Sequence, residues 1–229
     1  MLKEGKLGGL AMLRNLRNMR DAGVDAALIK QGIAGINAGR LLPINFISAA
    51  KHNPKFEPEI EAKFFECFGK EKAKGRTVLL IDVSGSMDAP LSGRSELMRL
   101  DVACSLGMIA REMFEDVTVM TFSNALAMVP ARRGFALRDA IVQSQPHGGT
   151  ELGGAVREVM KTPFDRLIVI TDEQSRSPVP QVNGGYMINV ASNKNGVGYG
   201  TWNHIDGWSD KVLDYILHHE TAEQHEKAA

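Results

Sequence analysis

From Arg76 onward this 229-residue sequence alternates short apolar runs with stretches of helical length, and this alternation restricts the fold more than any other feature. Residues 77–81 form a largely apolar run with β-branched side chains, as expected for a strand buried on both faces. Strands that alternate with helices predict an α/β fold with a doubly wound, mostly parallel sheet. Further strands are predicted at 117–122, 125–129 (a short edge strand), 166–171 and 186–190, and helices at 95–114, 137–143, 151–161 and 209–218.

The first 75 residues have a different pattern, which predicts a small all-α segment. Leu7, Leu10 and Leu13 recur every three residues, as on one face of a helix, and Gly23 follows as a stop signal. Further helices are expected at 25–38, 44–51 and 58–68. Stacked antiparallel helices of this length are typical of helical repeats. We therefore expect a helical segment (1–75), an α/β domain (76–220) containing a glycine-rich loop (193–200), and a polar tail (221–229).

Charge is distributed unevenly along the chain, although the formal net charge is zero. Residues 1–76 carry fourteen Lys and Arg against eight Asp and Glu, and the remainder carries thirteen against nineteen. This asymmetry suggests two parts with different roles. A basic helical segment can contact phosphates, although an ordinary solvated surface explains the same charge equally well. The basic residues of this segment include Arg14, Arg17, Arg20, Lys30 and Arg40.

Composition excludes several classes of protein. Hydrophobic residues make up 44% and charged residues 24%, which is ordinary for a folded domain and excludes global disorder. Apolar runs are far shorter than the roughly 20 residues of a membrane span, and the N-terminus does not resemble a signal peptide. Two cysteines, Cys67 and Cys104, form neither a disulfide framework nor a zinc site. We expect a cytoplasmic protein with no membrane partner.

The string that carries chemistry is Asp82-Val83-Ser84-Gly85-Ser86, which begins where the first buried strand ends. Ligands bind at this carboxyl edge in open α/β sheets. Side chains at i, i+2 and i+4 lie on one side of an extended segment, and Gly85 lets the backbone turn tightly. One carboxylate and two hydroxyls form a hard-oxygen set that suits Mg²⁺ or a similar divalent cation such as Mn²⁺.

Two more oxygen-bearing residues are expected at the same edge. Thr150 follows Gly148-Gly149 just before a helix, and Asp172 follows the strand at 166–171 directly. A divalent cation would compensate two carboxylates that otherwise repel each other. Coordination positions left open would go to water or to an acidic group of a partner. The predicted metal ligands are Asp82, Ser84, Ser86, Thr150 and Asp172.

Asp-x-Ser-x-Ser, a later Gly-Gly-Thr and a later Thr-Asp resemble the metal-ion-dependent adhesion site of von Willebrand factor A domains, and all five positions match. The remaining chain resembles the C-terminal part of TROVE-module proteins, the family of the Ro ribonucleoprotein, in which a helical-repeat ring leads into such a domain. The resemblance covers nearly the whole chain but only the last part of the ring. It rests on residues 10–16, 40–43, 46–50, 200–202 and 206–209.

The resemblance implies a function in RNA binding, in which the candidate RNA-contacting residues are Arg14, Arg17, Arg20, Lys30 and Arg40. Proteins of this family bind small structured non-coding RNAs of the Y RNA type and take part in RNA quality control. It also implies a protein partner with an acidic residue for the metal and a chain that supplies the missing helical repeats. The primary hypothesis is therefore a non-catalytic, metal-dependent binding module.

Two alternatives remain open from the sequence. The first is an RNA-binding protein whose metal site is vestigial, as the basic N-terminal segment would allow. The second is a Mg²⁺-dependent phosphohydrolase with Asp82 as nucleophile. Such enzymes need a second acidic residue two positions later, where this chain has Ser84. We therefore predict that the protein is not an enzyme.

Overall fold

The computed structural model describes residues 7–93, 95–191 and 200–228. The chain forms two compact units, Met1–Glu71 and Lys72–Ala229. The first is helical and the second contains a six-stranded, mostly parallel sheet with helices. The predicted fold class, a von Willebrand A-like α/β domain preceded by a small all-α segment, is confirmed. No helix in the described ranges is long and apolar enough to cross a membrane.

The first unit contains four helices: α1 (Gly9–Asp21), α2 (Ala26–Ala34), α3 (Pro43–His52) and α4 (Glu57–Phe65). Helix α1 packs on α2 and α3, and α4 packs on the same two helices. Their apolar faces share a core that includes Leu16, Ile33, Phe46, Ile60 and Phe64, all fully buried. Burying these side chains stabilises a unit whose short helices would be marginal alone.

Helix α2 is shorter than predicted. Asp25 caps its first turn by accepting a hydrogen bond from the backbone N–H of Ala27 at 2.9 Å. The helix ends at Ala34 rather than 38, because Gly35 forms its C-cap and Ala38–Arg40 forms a separate 3₁₀ turn. Gly23, after α1, has a φ of +70°, a conformation that ends a helix, which explains why α1 stops there.

The sheet of the second unit has the strand order β3-β2-β1-β4-β5-β6. All neighbouring strands are parallel except β3, which pairs antiparallel with β2 at one edge. The chain order reverses between β1 and β4, which is the switch point where such sheets bind ligands. The strands are β1 (Ala73–Asp82), β2 (Phe114–Phe122), β3 (Leu126–Met128), β4 (Arg166–Thr171), β5 (Tyr186–Asn189) and β6 (Asn203–Asp206).

Helices cover both faces of this sheet. Helix α7 (Leu152–Val159) packs on one face, where Leu152 and Val156 join a cluster with Leu80 and Val169. Helix α5 (Arg99–Met113) packs on the other face, where a Cβ on Gly107 would lie 3.0 Å from Ile81. Helices α6 (Gly134–Val142) and α8 (Val212–Ala228) complete the unit. Both central strands are therefore buried on two faces, as their apolar sequences predict.

Three predictions for the second unit differ from the structure. No strand was predicted at 203–206, where only Ile205 is apolar; pairing with β5 creates strand β6. Helix α5 begins at Arg99 instead of 95, and α8 continues to Ala228 instead of giving way to a tail at 221. Residues 193–199 of the predicted glycine-rich loop lie outside the described residues.

Candidate metal centre

Asp82 ends strand β1 at the switch point and is completely buried. Its Oδ1 accepts a hydrogen bond from the backbone N–H of Ser84 at 2.8 Å, and its Oδ2 accepts one from the Thr171 hydroxyl at 2.7 Å. Burial raises the pKa of Asp82 to about 6, although hydrogen bonds from Ser84 and Thr171 oppose that shift. Charge repulsion from Asp172, which follows the neighbouring strand, raises the pKa of Asp82 further.

Ser84 and Ser86 lie in the turn that follows β1. Their hydroxyl oxygens are 3.2 Å apart, so both predicted ligands face the same small volume. The backbone N–H of Gly85 donates to the carbonyl of Gly148 at 3.0 Å. This bond ties the loop after β1 to the loop that carries Thr150.

The second loop depends on two glycines. The backbone N–H of Gly148 donates to the Ser123 hydroxyl at 2.7 Å, and that of Gly149 donates to Oδ1 of Asn124 at 2.8 Å. A Cβ on Gly148 would lie 2.2 Å from the Asn124 amide nitrogen, so a side chain does not fit there unless Asn124 moves. Thr150 follows, is 8% exposed, and accepts a hydrogen bond at its carbonyl from the backbone N–H of Arg176.

Asp172 follows β4, beside Asp82, and is completely buried. Its Oδ2 accepts a hydrogen bond from the Arg99 guanidinium at 2.7 Å and another from the Gln174 side chain at 2.9 Å. The same Arg99 nitrogen donates to the carbonyl of Ser86 at 3.3 Å. The sequence did not predict that the Arg99 guanidinium would link the loops after β1 and β4.

Glu173 is a second buried acid immediately after Asp172. Its φ of +60° is unusual for a residue with a side chain. Its carboxylate is hydrogen-bonded to Nε2 of His204 on β6, the strand that was missed in the sequence. This hydrogen bond therefore links Glu173 to β6, away from the Asp82–Asp172 pair.

A polar cleft of about 580 Å³ opens at this edge of the sheet. Ser86 and Thr150 both line it, whereas Asp82 and Ser84 are buried in the protein. The Arg176 guanidinium lies over Gly149, where a Cβ would be 2.6 Å from its Cζ. The lining residues are Ser86, Gly148, Gly149, Thr150, Glu173, Gln174, Ser175 and Arg176.

The donor set fits a small, hard cation, with one departure. A buried carboxylate and nearby hydroxyls are oxygen ligands of the kind that Mg²⁺ accepts. No group of three or more His, Cys, Asp and Glu residues capable of holding a metal occurs in the described ranges, so a metal here depends on hydroxyl ligands. The departure is Arg99, which already neutralises Asp172.

The predicted RNA-contacting residues all lie in the first unit and are exposed. Arg14 and Arg17 lie three residues apart on α1. Two others have acidic neighbours: Arg20 pairs with Asp21 at 2.8 Å, and Lys30 pairs with Glu59 at 2.6 Å. Arg40 ends the 3₁₀ turn after α2. Local pairing therefore reduces the positive charge that two of the five offer to a phosphate.

Four residues with contacts at this site were not predicted from the sequence to belong to it. Ser123 and Asn124 follow β2, whose carboxyl end lies beside that of β1, so their position at a third strand end was an available signal. Arg99 and Arg176 had no comparable signal. Arg99 is 73 positions away from Asp172 along the chain, and the first turn of a helix seldom carries a ligand-site arginine.

Together the sheet order, the flanking helices and the switch-point site define an α/β domain of the von Willebrand factor A type, with a helical unit before it in the chain. The same fold occurs in the solved structure of the Ro (RSR) protein of Deinococcus radiodurans, with a TM-score of 0.63 and 21% identity. That match covers 91% of this chain and 52% of the Ro chain, so the present sequence spans about half of its length.

Two further solved structures match at lower TM-scores. An aerotolerance-related membrane protein of Bacteroides fragilis gives 0.38 at 16% identity, covering 49% of this chain and 66% of that one. The hypothetical protein BatB of Bacteroides thetaiotaomicron gives 0.42 at 13%, covering 64% and 98%. No protein-family profile and no curated protein sequence matches this chain. The likeness to the Ro protein therefore shows a shared fold.

Proposed function

We propose that this chain is a non-catalytic, metal-dependent binding module of a Ro-like RNA-binding protein. The observation that supports it is the meeting of three loops at the switch point. Gly85 binds Gly148 across the first two loops, and Arg99 joins Ser86 to Asp172 across the first and third. These contacts bring together residues that are far apart in the sequence and that match the ligand pattern.

Five residues would hold the ion: Asp82, Ser84, Ser86, Thr150 and Asp172. A bound Mg²⁺ or Mn²⁺ would compensate the buried carboxylates and attract an anionic group of a partner. Ser86 and Thr150 reach the cleft from which such a group would approach. An acidic side chain of a protein partner has the charge and the oxygen atoms that this role requires.

Isothermal titration with Mg²⁺ and Mn²⁺ tests the metal. We expect heats of binding for the wild type and none for Asp82→Ala. Asp116→Ala is a matched control, because Asp116 is an exposed residue on β2. Identical heats for the wild type and Asp82→Ala would contradict the metal centre.

The RNA-binding function rests on the shared fold with the Ro protein and on the basic first unit. The RNA we propose is a small, structured, non-coding RNA bound through phosphate contacts. The chain spans about half of the Ro chain, and we propose that the helical repeats it does not include complete the RNA-binding surface.

Salt-dependent binding of a small hairpin RNA tests this part. We expect affinity to fall steeply with salt, and Arg14→Ala with Arg17→Ala to reduce the slope of log K against log salt by about 1 to 2. The control is Arg132→Ala with Lys161→Ala, which removes the same charge from the second unit. An equal effect of both pairs, or no binding at low salt, would contradict an RNA site on α1.

One observation favours a second candidate, an RNA-binding protein with a vestigial metal site. Arg99 already supplies a positive charge to Asp172. In that case RNA binding would survive EDTA and no heat would be observed with Mg²⁺. In both candidates the chain is non-catalytic, since Ser84 stands where a phosphohydrolase would need its acid. Hydrolysis of an aryl phosphate with Mg²⁺ would overturn that part of the proposal.

A further inference from the structure

Arg99 carries a positive charge inside the candidate metal centre. It is the first residue of α5, and its side chain is only 18% exposed. One of its nitrogens donates to Oδ2 of Asp172 at 2.7 Å and to the carbonyl of Ser86 at 3.3 Å. Its Nε is buried and has no hydrogen-bond partner in the part of the chain that the structure describes. The guanidinium is therefore fixed at the site and keeps an unmet donor.

The two buried aspartates are compensated differently. Asp172 has a guanidinium at hydrogen-bond distance. Asp82 accepts hydrogen bonds only from neutral groups, Ser84 and Thr171, and no Lys or Arg of the described ranges forms an ion pair with it. The centre thus already holds one of the two positive charges that its carboxylates require.

The sum of these charges determines how strongly the site attracts a divalent ion. Asp82, Asp172 and Arg99 together have a formal charge of −1, and a divalent ion changes it to +1. Glu173 and Arg176, which also line the cleft, have opposite charges and leave this sum unchanged. Like charges at short range in a buried site repel strongly, so Arg99 opposes loading. A site with a net positive charge in turn favours an anionic group in the cleft that Ser86 and Thr150 line.

We propose that Arg99 is the resident cation of the centre: it neutralises Asp172 in the metal-free protein, lowers the affinity for a divalent ion, and makes loading depend on an anionic group from the partner. The inference rests on the proposed metal-binding function. It concerns a residue outside the five-residue ligand pattern. Its consequence is a site that stays folded without metal and binds the ion more tightly in a complex than alone.

Titration with Mg²⁺ and Mn²⁺ of the wild type, Arg99→Met and Arg99→Lys tests the proposal. Arg99→Met removes the charge but keeps a long side chain, and we expect it to bind about tenfold more tightly. Arg99→Lys keeps the charge and should stay near the wild-type affinity. Equal or weaker binding by Arg99→Met would overturn the inference, because a residue that only positions Asp172 would weaken binding when removed.

The same titrations separate the two levels of the proposal. If the wild type binds metal and Arg99→Met binds no better, only the role of Arg99 is wrong. If neither protein binds Mg²⁺ or Mn²⁺, the proposed metal centre is wrong, and the inference fails with it.

Stability without metal provides a second readout. In EDTA the melting temperature of Arg99→Met should fall, because buried Asp172 loses its counter-charge. Adding Asp172→Asn should restore it by removing the unpaired charge, and saturating Mg²⁺ should restore the single variant. If the double variant stays as unstable as Arg99→Met, Arg99 acts through packing and the inference is overturned.

Acetate is the probe for the anionic group. At constant ionic strength, replacing chloride by acetate should raise the Mn²⁺ affinity of the wild type more than that of Arg99→Met. An equal effect on both proteins would overturn the dependence on an anion.

Discussion

Asp82 is a buried carboxylate held by neutral donors, and its chemistry makes the metal-free domain sensitive to pH. Its pKa is raised from 3.8 to about 6, mainly by burial. The folded protein therefore holds this proton more tightly than the unfolded chain does. The contribution of Asp82 to the free energy of unfolding falls as the pH rises from about 4 to about 6. It stays at its lowest value above pH 6, where the buried carboxylate is ionised.

Asp82→Asn should stabilise the metal-free domain at pH 7.5. The amide keeps an oxygen for the Ser84 N–H and removes the buried charge, a gain of at most about 3 kcal/mol from the size of the pKa shift. Urea unfolding in EDTA measures this gain, and added Mg²⁺ should no longer raise the stability of the variant. Asp116→Asn, on the surface, should change nothing, and an unchanged or lowered stability of Asp82→Asn would contradict the prediction.

The contribution of Asp165 to stability depends on pH in the opposite direction. Hydrogen bonds from the Arg76 side chain and the Arg76 backbone N–H hold the pKa of Asp165 well below its usual range. The stabilisation by this ion pair is complete above the unfolded-state pKa near 4 and is lost as the pH falls through the lower folded-state pKa.

The measurement is urea unfolding of the wild type and Asp165→Asn between pH 7 and pH 2. The wild type should be more stable at neutral pH, and the difference should shrink only below pH 4. A difference that stays constant across this range would show that the ionised carboxylate has no part in it.

Helix α7 begins at the Thr150 loop, and its small residues let it lie against the segment after β4. A Cβ on Gly153 would lie 2.2 Å from the backbone carbonyl oxygen of Pro178, which cannot turn away as a side chain can. Arg157 also donates to this carbonyl, at 3.2 Å. The backbone of α7 at Gly153 therefore packs directly against the backbone of this segment.

Gly153→Ala should destabilise the second unit by about 1 to 3 kcal/mol, because the methyl group overpacks this contact. The next residue provides the control. The atoms nearest to a Cβ on Gly154 belong to the Glu151 side chain, at 3.2 Å, which can shift more easily than a backbone carbonyl, and alanine favours the helix by up to about 1 kcal/mol. Because the Glu151 carboxylate also caps the helix at the Gly154 N–H, urea unfolding should show a smaller loss of stability for Gly154→Ala than for Gly153→Ala, and similar values for both would contradict the close packing.

The two ends of the second unit meet at the opposite edge of the sheet. Arg166 begins β4, is 6% exposed, and donates to the Thr77 hydroxyl at 2.7 Å. Its charge is matched by Glu220 in the last helix, α8. His219 also lies 3.2 Å from the Tyr186 hydroxyl. Helix α8 thus contacts strands β4 and β5 through pairs of residues that lie more than thirty positions apart in the sequence.

Glu220→Ala should lower the free energy of unfolding by about 3 kcal/mol, because it leaves the buried Arg166 without a counter-charge. Glu223→Ala on the same helix should cost less than about 0.5 kcal/mol, since the Glu223 side chain is 42% exposed and interactions of exposed carboxylates contribute little. Thermal and urea unfolding measure both values. Equal effects would show that Arg166 does not depend on Glu220.

The sequence alone determined the oxygen pattern and the order of the elements up to β5. Runs such as 77–81 and 166–171 are apolar on both faces, and no other secondary structure buries them as well in so few residues. Their carboxyl ends then place Asp82 and Asp172 at one edge, because parallel neighbours share direction. The fold class and the positions of the candidate ligands follow from this local patterning.

Only the tertiary structure decided the contacts between distant residues. The Arg99–Asp172 and Arg166–Glu220 pairs join residues 73 and 54 positions apart, and β6 becomes a strand only by pairing with β5. Charge pairs of this kind leave no periodic trace in a sequence, since any Arg and any Asp look alike until packing brings two of them together. Physical proximity, rather than local pattern, set the charge of the candidate metal centre.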